Sequence, residues 1–187
     1  LRLVGSEMCI RDRAGYNLIV TARRSDLLAS LKRKLERQGV EVLPLVFDVR
    51  DRMAAHDAIA GLPQEWAEVD VLVNNAGLAR GLEPEYEGNM DDWDEMIDTN
   101  IRGLLTMTRL IVPAMVARNH GHIINIGSVA GDAAYAGGNV YCATKSAVKS
   151  ISDGLRIDVA HTKVRVTNIK PGLVETNFSR VRFHGDN

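Results

Sequence analysis

Five short apolar segments alternate with segments of helical periodicity along most of this chain. The apolar segments are nearly continuous, and the segments between them repeat hydrophobic residues every three or four positions. Predicted strands cover residues 18–22, 40–47, 69–73, 122–127 and 164–169. Strands that are buried on both faces and joined through helices form parallel sheets. The sequence therefore predicts an α/β fold built on a doubly wound parallel sheet.

The predicted helices cover residues 25–39, 52–62, 91–118 and 139–160. Ser25 stands where a capping side chain is expected, and Gly39 stands at the end of the same helix. Pro113 lies inside the predicted helix 91–118, so we expect a kink or a break there.

Composition limits the classes of protein that this chain can join. Its 187 residues are 45% hydrophobic, which suits one globular domain. The net charge of −1 gives no basic field for nucleic acid, and no apolar run reaches the roughly 18 residues that span a membrane. Cys9 and Cys142 indicate no disulfide framework, which favours a cytoplasmic location. The five histidines form no Cys/His cluster, so no metal site is expected.

Each predicted strand is followed by a residue suited to ligand contact or to a tight turn. In open parallel sheets, ligands bind beyond the carboxyl ends of the strands. The residues at these ends are Arg23, Asp48, Asn75, Ser128 and Pro171. We therefore expect the functional site at this edge of the sheet.

Three residues in the second half of the chain suit proton transfer. Tyr141 and Lys145 are four positions apart in a predicted helix, so their side chains share one face. A nearby ammonium favours the phenolate form and lowers the pKa of a tyrosine. Ser128 follows a strand thirteen positions before Tyr141, and its hydroxyl can bond the oxygen that the tyrosine protonates. This grouping predicts general acid–base chemistry.

Together with Asn74-Asn75-Ala76-Gly77 and Asn100, this grouping resembles the short-chain dehydrogenase/reductase family, from about Ala14 to the C-terminus. The resemblance implies a Rossmann-like fold, hydride transfer with a nicotinamide cofactor and a homotetramer. It implies that Tyr141 is the general acid/base and that Lys145 binds the nicotinamide ribose. Ser128 would orient the substrate oxygen, and Asn100 would help hold a water that links Lys145 to solvent. Ala143, Ala147 and Val148 leave room for close packing between subunits.

The same resemblance implies a set of cofactor-binding residues. Arginine after the second strand accommodates the 2′-phosphate of NADP, whereas an acidic residue there binds the ribose of NAD. Arg23 and Arg24 occupy this position, so NADP is the expected cofactor. Asp48 and Val49 would meet the adenine. The remaining residues that would line the cofactor are Asn75, Ala76, Gly77, Pro171, Gly172, Val174 and Thr176.

Several stretches also resemble the NADP-dependent 3-hydroxy acid dehydrogenases within this family. They are residues 72–78, 98–100, 118–128, 135–141 and 178–183. This resemblance implies a substrate such as serine, allo-threonine or 3-hydroxypropionate/malonic semialdehyde, with Arg182 as the candidate carboxylate anchor. Two alternatives stay open: a reductase of another small carbonyl such as a 3-oxoacyl thioester, and a non-catalytic NADP-sensing scaffold.

The front of the chain departs from the family pattern. Residues 1–13 resemble the translation of a sequencing-library adapter, and we expect them to be a non-native scar before a partial domain at 14–187. The family's glycine-rich turn, which binds the pyrophosphate, is not found in this front segment. The sequence also stops at Asn187, before the family's last elements. We therefore expect the chain as written to lack a strand between those at Leu18 and Val71, and to bind NADPH weakly.

Overall fold

The computed structural model describes residues 16–172. The predicted scar at residues 1–13 and the predicted site residues Val174, Thr176 and Arg182 lie outside the described part. The strands are β1 (Leu18–Ala22), β2 (Val42–Val46), β3 (Val71–Asn74), β4 (His122–Ile126) and β5 (Arg165–Ile169). The helices are α1 (Ser25–Glu36), α2 (Arg52–Ala60), α3 (Met90–Ile97), α4 (Leu104–Ala117) and α5 (Asn139–Asp158).

All strand pairs in the described residues are parallel, which confirms the predicted α/β class. β1 pairs with β2, with Leu18 opposite Val42. β4 lies between β3 and β5, with Ile123 opposite both Leu72 and Val166. Between residues 16 and 172 these two sheets share no ladder. The expectation of a strand missing between β1 and β3 concerns residues outside this range.

One hydrophobic core joins the two sheets. It contains Ile19 from β1, Leu72 from β3 and Ile123 from β4, packed against Met107 and Met115 of α4. Each aliphatic side chain of this size contributes roughly 1.5–3 kcal/mol when it is fully buried. This shared core holds the carboxyl ends of both sheets on one side of the molecule, where the predicted site residues lie.

The predicted helix 91–118 is divided, but not at Pro113. A π-helical segment, Asp98–Gly103, separates α3 from α4, and α4 continues through Pro113 to Ala117. The helix therefore does not break at Pro113, and the other expected outcome, a kink there, stays a prediction. A proline removes one intrahelical hydrogen bond, and tertiary packing on Met115 and Val112 holds the helix around it. A π-helical turn inserts an extra residue and re-aims the side chains that it carries.

The expected cap at Ser25 was wrong. Ser25 is the first residue inside α1, and Arg24 holds the capping position without a side-chain cap bond. Asp51 and Asn89 do cap their helices: Asp51 accepts hydrogen bonds from Met53 and Ala54, each at 3.0 Å. Gly39 has a positive φ of 83°, which fits the turn after α1.

Candidate active site

Tyr141 and Lys145 lie one turn apart on the inward face of α5. Both are buried, and the Lys145 ammonium nitrogen is 5.8 Å from the centre of the Tyr141 ring. Lys145 Nζ also donates a hydrogen bond to the Ile126 carbonyl oxygen at 2.9 Å. Because Ile126 ends β4, this bond fixes the lysine head against the edge of the sheet. The geometry places a cation next to a buried phenol.

The Lys145 ammonium is strongly desolvated, since the residue is only 7% exposed. Burial lowers the pKa of Lys145 from 10.5 to about 8. At neutral pH the side chain is still mostly protonated, because its pKa lies above 7. A lysine with a pKa near the working pH can carry charge and also pass a proton, as acid–base sites require.

Asn100 is held by hydrogen bonds from both ends of its side-chain amide. It lies in the π-helical segment and is 2% exposed. Its Oδ1 accepts from the Leu78 N–H at 2.9 Å, and its Nδ2 donates to the Leu78 carbonyl at 2.9 Å. The second Nδ2 hydrogen goes to the Thr144 hydroxyl at 2.9 Å. Asn100 therefore joins the segment after β3 to the helix that carries Tyr141 and Lys145.

Gly77 lies between Asn100 and Lys145. A Cβ atom at Gly77 would stand 3.3 Å from Asn100 Oδ1 and 3.4 Å from Lys145 Nζ. These distances are tight for a methyl group, and both neighbours are buried. Glycine here therefore lets the segment after β3 pack closely against an amide oxygen and an ammonium.

Ser128 follows β4 and caps a short helical turn, Val129–Gly131, that packs against α5. Its hydroxyl oxygen accepts a hydrogen bond from the Ala130 N–H at 3.1 Å. Ala130 packs in one cluster with Tyr141, and the Gly131 carbonyl accepts a bond from the Ser146 hydroxyl at 2.7 Å. These contacts bring the serine turn against the helix of the tyrosine and lysine.

A buried polar chain beneath the site runs from Asn74, which belongs to the motif named from the sequence, to residues that were not predicted. Asn74 donates to Asn125 Oδ1 at 2.9 Å, and Asn125 donates to the Ser152 hydroxyl at 2.9 Å. Ser152 in turn donates to the Val148 carbonyl at 2.6 Å. Because Asn74 ends β3 and Asn125 lies in β4, the chain fixes the strand ends relative to α5. Polar residues inside otherwise apolar strands were the sequence signal.

A second group of charged side chains lies at the ends of β1 and β2. Arg23 Nη1 is 3.7 Å from Asp48 Oδ2 and 3.9 Å from Glu95 Oε1. Arg50 donates to Asp48 Oδ2 at 2.7 and 2.9 Å, and to Glu95 at 3.2 Å. Arg80 pairs with the other oxygen of Glu95 at 2.7 Å. Arg23 and Asp48 were predicted from the sequence as site residues, whereas Arg50, Glu95 and Arg80 were not.

The two carboxylates of this charge cluster are both stabilised as anions. Burial alone would raise the pKa of Asp48, but its hydrogen bonds and charge interaction with Arg50 lower it overall. The hydrogen bond from Arg80 lowers the pKa of Glu95 against the opposing effect of burial. Both groups are therefore ionised at neutral pH.

The remaining predicted residues lie at the same edge of the sheets. Val49 contacts the π-helical segment, because a Cβ at Gly103 would stand 2.8 Å from its Cγ2. Val49, Asn75 and Ala76 line one cleft. Pro171 adjoins the serine turn through a 3.2 Å bond from the Val129 N–H to its carbonyl. Arg24 and Gly172 are exposed, and none of the described side-chain contacts joins them to this group.

Metal ligation and membrane crossing are two further properties that side chains and helices can show. Between residues 16 and 172, no group of three or more His, Cys, Asp or Glu side chains is placed to hold a metal ion. None of the described helices combines the length and the apolar character needed to cross a membrane.

The parallel α/β fold and this site define a class of protein. Comparison with known families identifies that class. The family model described as short chain dehydrogenase matches residues 4–187. The chain belongs to the short-chain dehydrogenase family.

Several named proteins of this family are similar to the chain. A "Probable NADP-dependent dehydrogenase" of Haemophilus influenzae is 55% identical over 174 residues, which cover 92% of this chain and 68% of the relative. The "NADP-dependent 3-hydroxy acid dehydrogenase YdfG" of Salmonella typhi is 55% identical over 173 residues, with the same coverage of both chains. Among solved structures, the closed form of a serine dehydrogenase complexed with NADP+ superimposes with a TM-score of 0.88. That structure is 52% identical, and the match covers 94% of this chain and 70% of that one.

Proposed function

We propose that this protein transfers a hydride between NADP(H) and a small 3-hydroxy acid, such as serine, allo-threonine or 3-hydroxypropionate/malonic semialdehyde. The observation that carries the proposal is the buried Tyr141–Lys145 pair beside Asn100 and Gly77. The names of the relatives, a 3-hydroxy acid dehydrogenase and a serine dehydrogenase, support the substrate class.

In this proposal Tyr141 is the general acid/base that exchanges a proton with the substrate oxygen. The Lys145 ammonium favours the phenolate form of Tyr141, because an adjacent positive charge stabilises the anion. Ser128 bonds the same substrate oxygen and orients it. Asn100 would help hold a water that links Lys145 to solvent and resupplies the proton.

The residues in place fit NADP. Gly77 has no side chain, which lets its backbone approach a ligand closely, and Arg23 presents a half-exposed guanidinium at the end of β1. When bound, NADP supplies the carbon that accepts or donates the hydride. Arg23 and Arg24 would hold the 2′-phosphate, while Asp48 and Val49 would meet the adenine. The remaining proposed cofactor residues are Asn75, Ala76, Gly77, Tyr141, Lys145, Pro171, Gly172, Val174 and Thr176.

The proposal extends to the assembly and its location. We propose a homotetramer packed partly on the outer face of α5, where Ala143 is exposed and Ala147 is half-buried. Val148 is 1% exposed and lies in the core of its own chain, so it is not available for such packing, contrary to our expectation. A cytoplasmic location suits Cys142, which is a buried free thiol.

Initial-rate assays with matched substrates test the proposed reaction. The purified protein is given NADP+ with L-serine, L-allo-threonine or 3-hydroxypropionate, and NADPH formation is followed by its absorbance. A 3-hydroxyacyl thioester and an uncharged alcohol of the same length serve as controls. We expect the highest kcat/KM with a free 3-hydroxy acid.

Each other outcome would select a different function. A higher kcat/KM with the thioester would replace the hydroxy acid by a thioester substrate. Binding of NADPH by calorimetry, without turnover of any of these compounds, would favour the non-catalytic sensing scaffold.

A further inference from the structure

The charge cluster at the ends of β1 and β2 joins three arginines to two carboxylates. Its members are Arg23, Arg50, Arg80, Asp48 and Glu95. Both carboxylates are ionised at neutral pH, and Arg23 and Arg50 each approach both of them. The two arginines therefore share the same two anions.

Arg50 is the member that satisfies both carboxylates. Its Nε and Nη2 lie 2.9 and 2.7 Å from Asp48 Oδ2, and its Nη1 lies 3.2 Å from Glu95 Oε1. Its backbone N–H also donates to Asp48 Oδ1 at 3.0 Å. Charge-assisted hydrogen bonds of this length are the strong ones in proteins. Arg50 thus holds the two acids together at the centre of the cluster.

Arg23 is held much more loosely by the same two carboxylates. Its contacts with Asp48 and Glu95 are 3.7 and 3.9 Å long, beyond hydrogen-bonding distance, and its side chain is 56% exposed. Exposed ion pairs of this kind contribute little to stability. Arg23 can therefore leave its carboxylates at low cost when a stronger anion is offered.

We propose that Arg50 is a positioning residue that sets the preference for NADPH over NADH by releasing Arg23 from Asp48 and Glu95. This inference rests on the proposed function, in which Arg23 binds the 2′-phosphate. While Arg50 neutralises both carboxylates, Arg23 is free to turn to the phosphate. Without Arg50, the two carboxylates would retain Arg23 and repel the phosphate.

The Arg50→Met variant tests the proposal, because methionine keeps much of the apolar stem and removes the charge. We expect the KM for NADPH, and its dissociation constant measured by calorimetry without substrate, to rise about tenfold, as for the loss of a charge-assisted contact. Both values for NADH should change by less than about twofold. Arg37→Met is the matched control. It removes the same charge at the far end of α1, roughly 18 Å from the Arg23 end by helix rise, and should leave both KM values unchanged.

A second-site change separates the charge effect from simple loss of structure. Glu95→Gln removes one carboxylate charge while it keeps the shape and an acceptor for Arg80. In the Arg50→Met/Glu95→Gln double variant we expect most of the NADPH affinity to return, because less negative charge retains Arg23. Circular dichroism and thermal unfolding of each variant show whether it is folded.

Three results would overturn the proposal. Equal losses for NADPH and NADH in Arg50→Met would show that Arg50 only holds Asp48 against the adenine. No recovery in the folded double variant would exclude electrostatic competition for Arg23. An unchanged NADPH KM in Arg50→Met would exclude any role in selection. If instead the wild-type protein shows no preference for NADPH, the proposed cofactor is wrong, whatever Arg50 does.

Discussion

The Asn100 amide donates a hydrogen bond to the Thr144 hydroxyl at 2.9 Å, and that hydroxyl donates to the Tyr141 carbonyl at 2.8 Å. Asn100 lies in the π-helical segment and Thr144 in α5, so the two bonds cross between elements. Both side chains are almost completely buried. Thr144 therefore fixes the orientation of Asn100 beside the proposed proton path.

Thr144→Val should lower kcat by roughly tenfold to a hundredfold while the NADPH dissociation constant stays close to that of wild type. The change removes the acceptor for Asn100 Nδ2, and a small misplacement near reacting groups costs rate on this scale. Thr144→Ser restores the hydroxyl and should recover most of kcat. Thr108→Val is the control, because Thr108 accepts a comparable bond from Asn74 at 3.2 Å. An equal loss of kcat in both valine variants would indicate a general packing effect.

Tyr141→Phe should nearly abolish turnover and leave NADPH binding close to intact. It removes the phenolic oxygen but keeps the ring, which packs with Leu78 and Met96. General acid–base catalysis typically contributes about 10²–10⁴-fold. Initial-rate assays measure turnover, and calorimetry measures cofactor binding. Turnover within about a factor of three of wild type would remove Tyr141 from the mechanism.

Arg23→Ala combined with Arg24→Ala should weaken NADPH much more than NADH. Both changes remove cations at the end of β1, and only NADPH has a phosphate for them to bind. Steady-state kinetics with each cofactor gives the ratio of the two losses. The two single variants show which arginine causes the loss of affinity. We expect the larger loss in Arg23→Ala because, of these two arginines, only Arg23 approaches Asp48. Equal losses for both cofactors would count against recognition of the 2′-phosphate.

Lys145→Met should abolish turnover yet stabilise the cofactor-free fold near pH 7. Burial lowers the pKa of Lys145 from 10.5 to about 8, so below pH 8 the folded protein holds a desolvated charge. Between those two pKa values the unfolded chain binds more protons, and stability rises with pH by about 3 kcal/mol. The stability of the methionine variant does not rise with pH in this way, because it has no charge to lose. The loss of the hydrogen bond to Ile126 offsets part of the stability that the variant gains near neutral pH.

Urea unfolding at about pH 7 and about pH 9.5 measures this effect. The advantage of Lys145→Met over wild type should shrink as the pH rises. Lys149→Met, one turn further along α5 at an exposed position, should show no such change. A difference in stability that does not vary with pH would show that the buried Lys145 charge is not destabilising.

Arg182→Leu should raise KM for a 3-hydroxy acid and spare an uncharged alcohol, because the guanidinium would bind the substrate carboxylate. Arg182 lies outside the described residues, so this prediction rests on the sequence resemblance. Arg180→Leu, two positions earlier, is the matched control. Comparable effects on the acid and the alcohol would contradict a carboxylate anchor.

The predicted strands and helices agree with the structure to within a few residues at most of their ends. The largely apolar run 122–127 predicts a strand from neighbours along the chain, and in the structure one face of β4 is buried and the other is half-buried. The cap expected at Ser25 was wrong, because Arg24 holds the capping position, and the helix does not break at Pro113. The hydrophobic contacts of α4 hold the helix through Pro113, and the π-helical segment forms where Asn100 bonds to Leu78 and Thr144.

The sequence by itself determined the fold class and the residue types of the proposed chemistry. Periodicity depends on neighbours along the chain, and the spacing of Tyr141 and Lys145 on a helix is fixed by helix geometry. Only the tertiary structure decided which distant residues meet. The bonds from Arg50 to Glu95 and from Asn100 to Thr144 join positions 45 and 44 residues apart. Such contacts depend on how helices pack on the sheet, so no local pattern around Arg50 or Thr144 could indicate them.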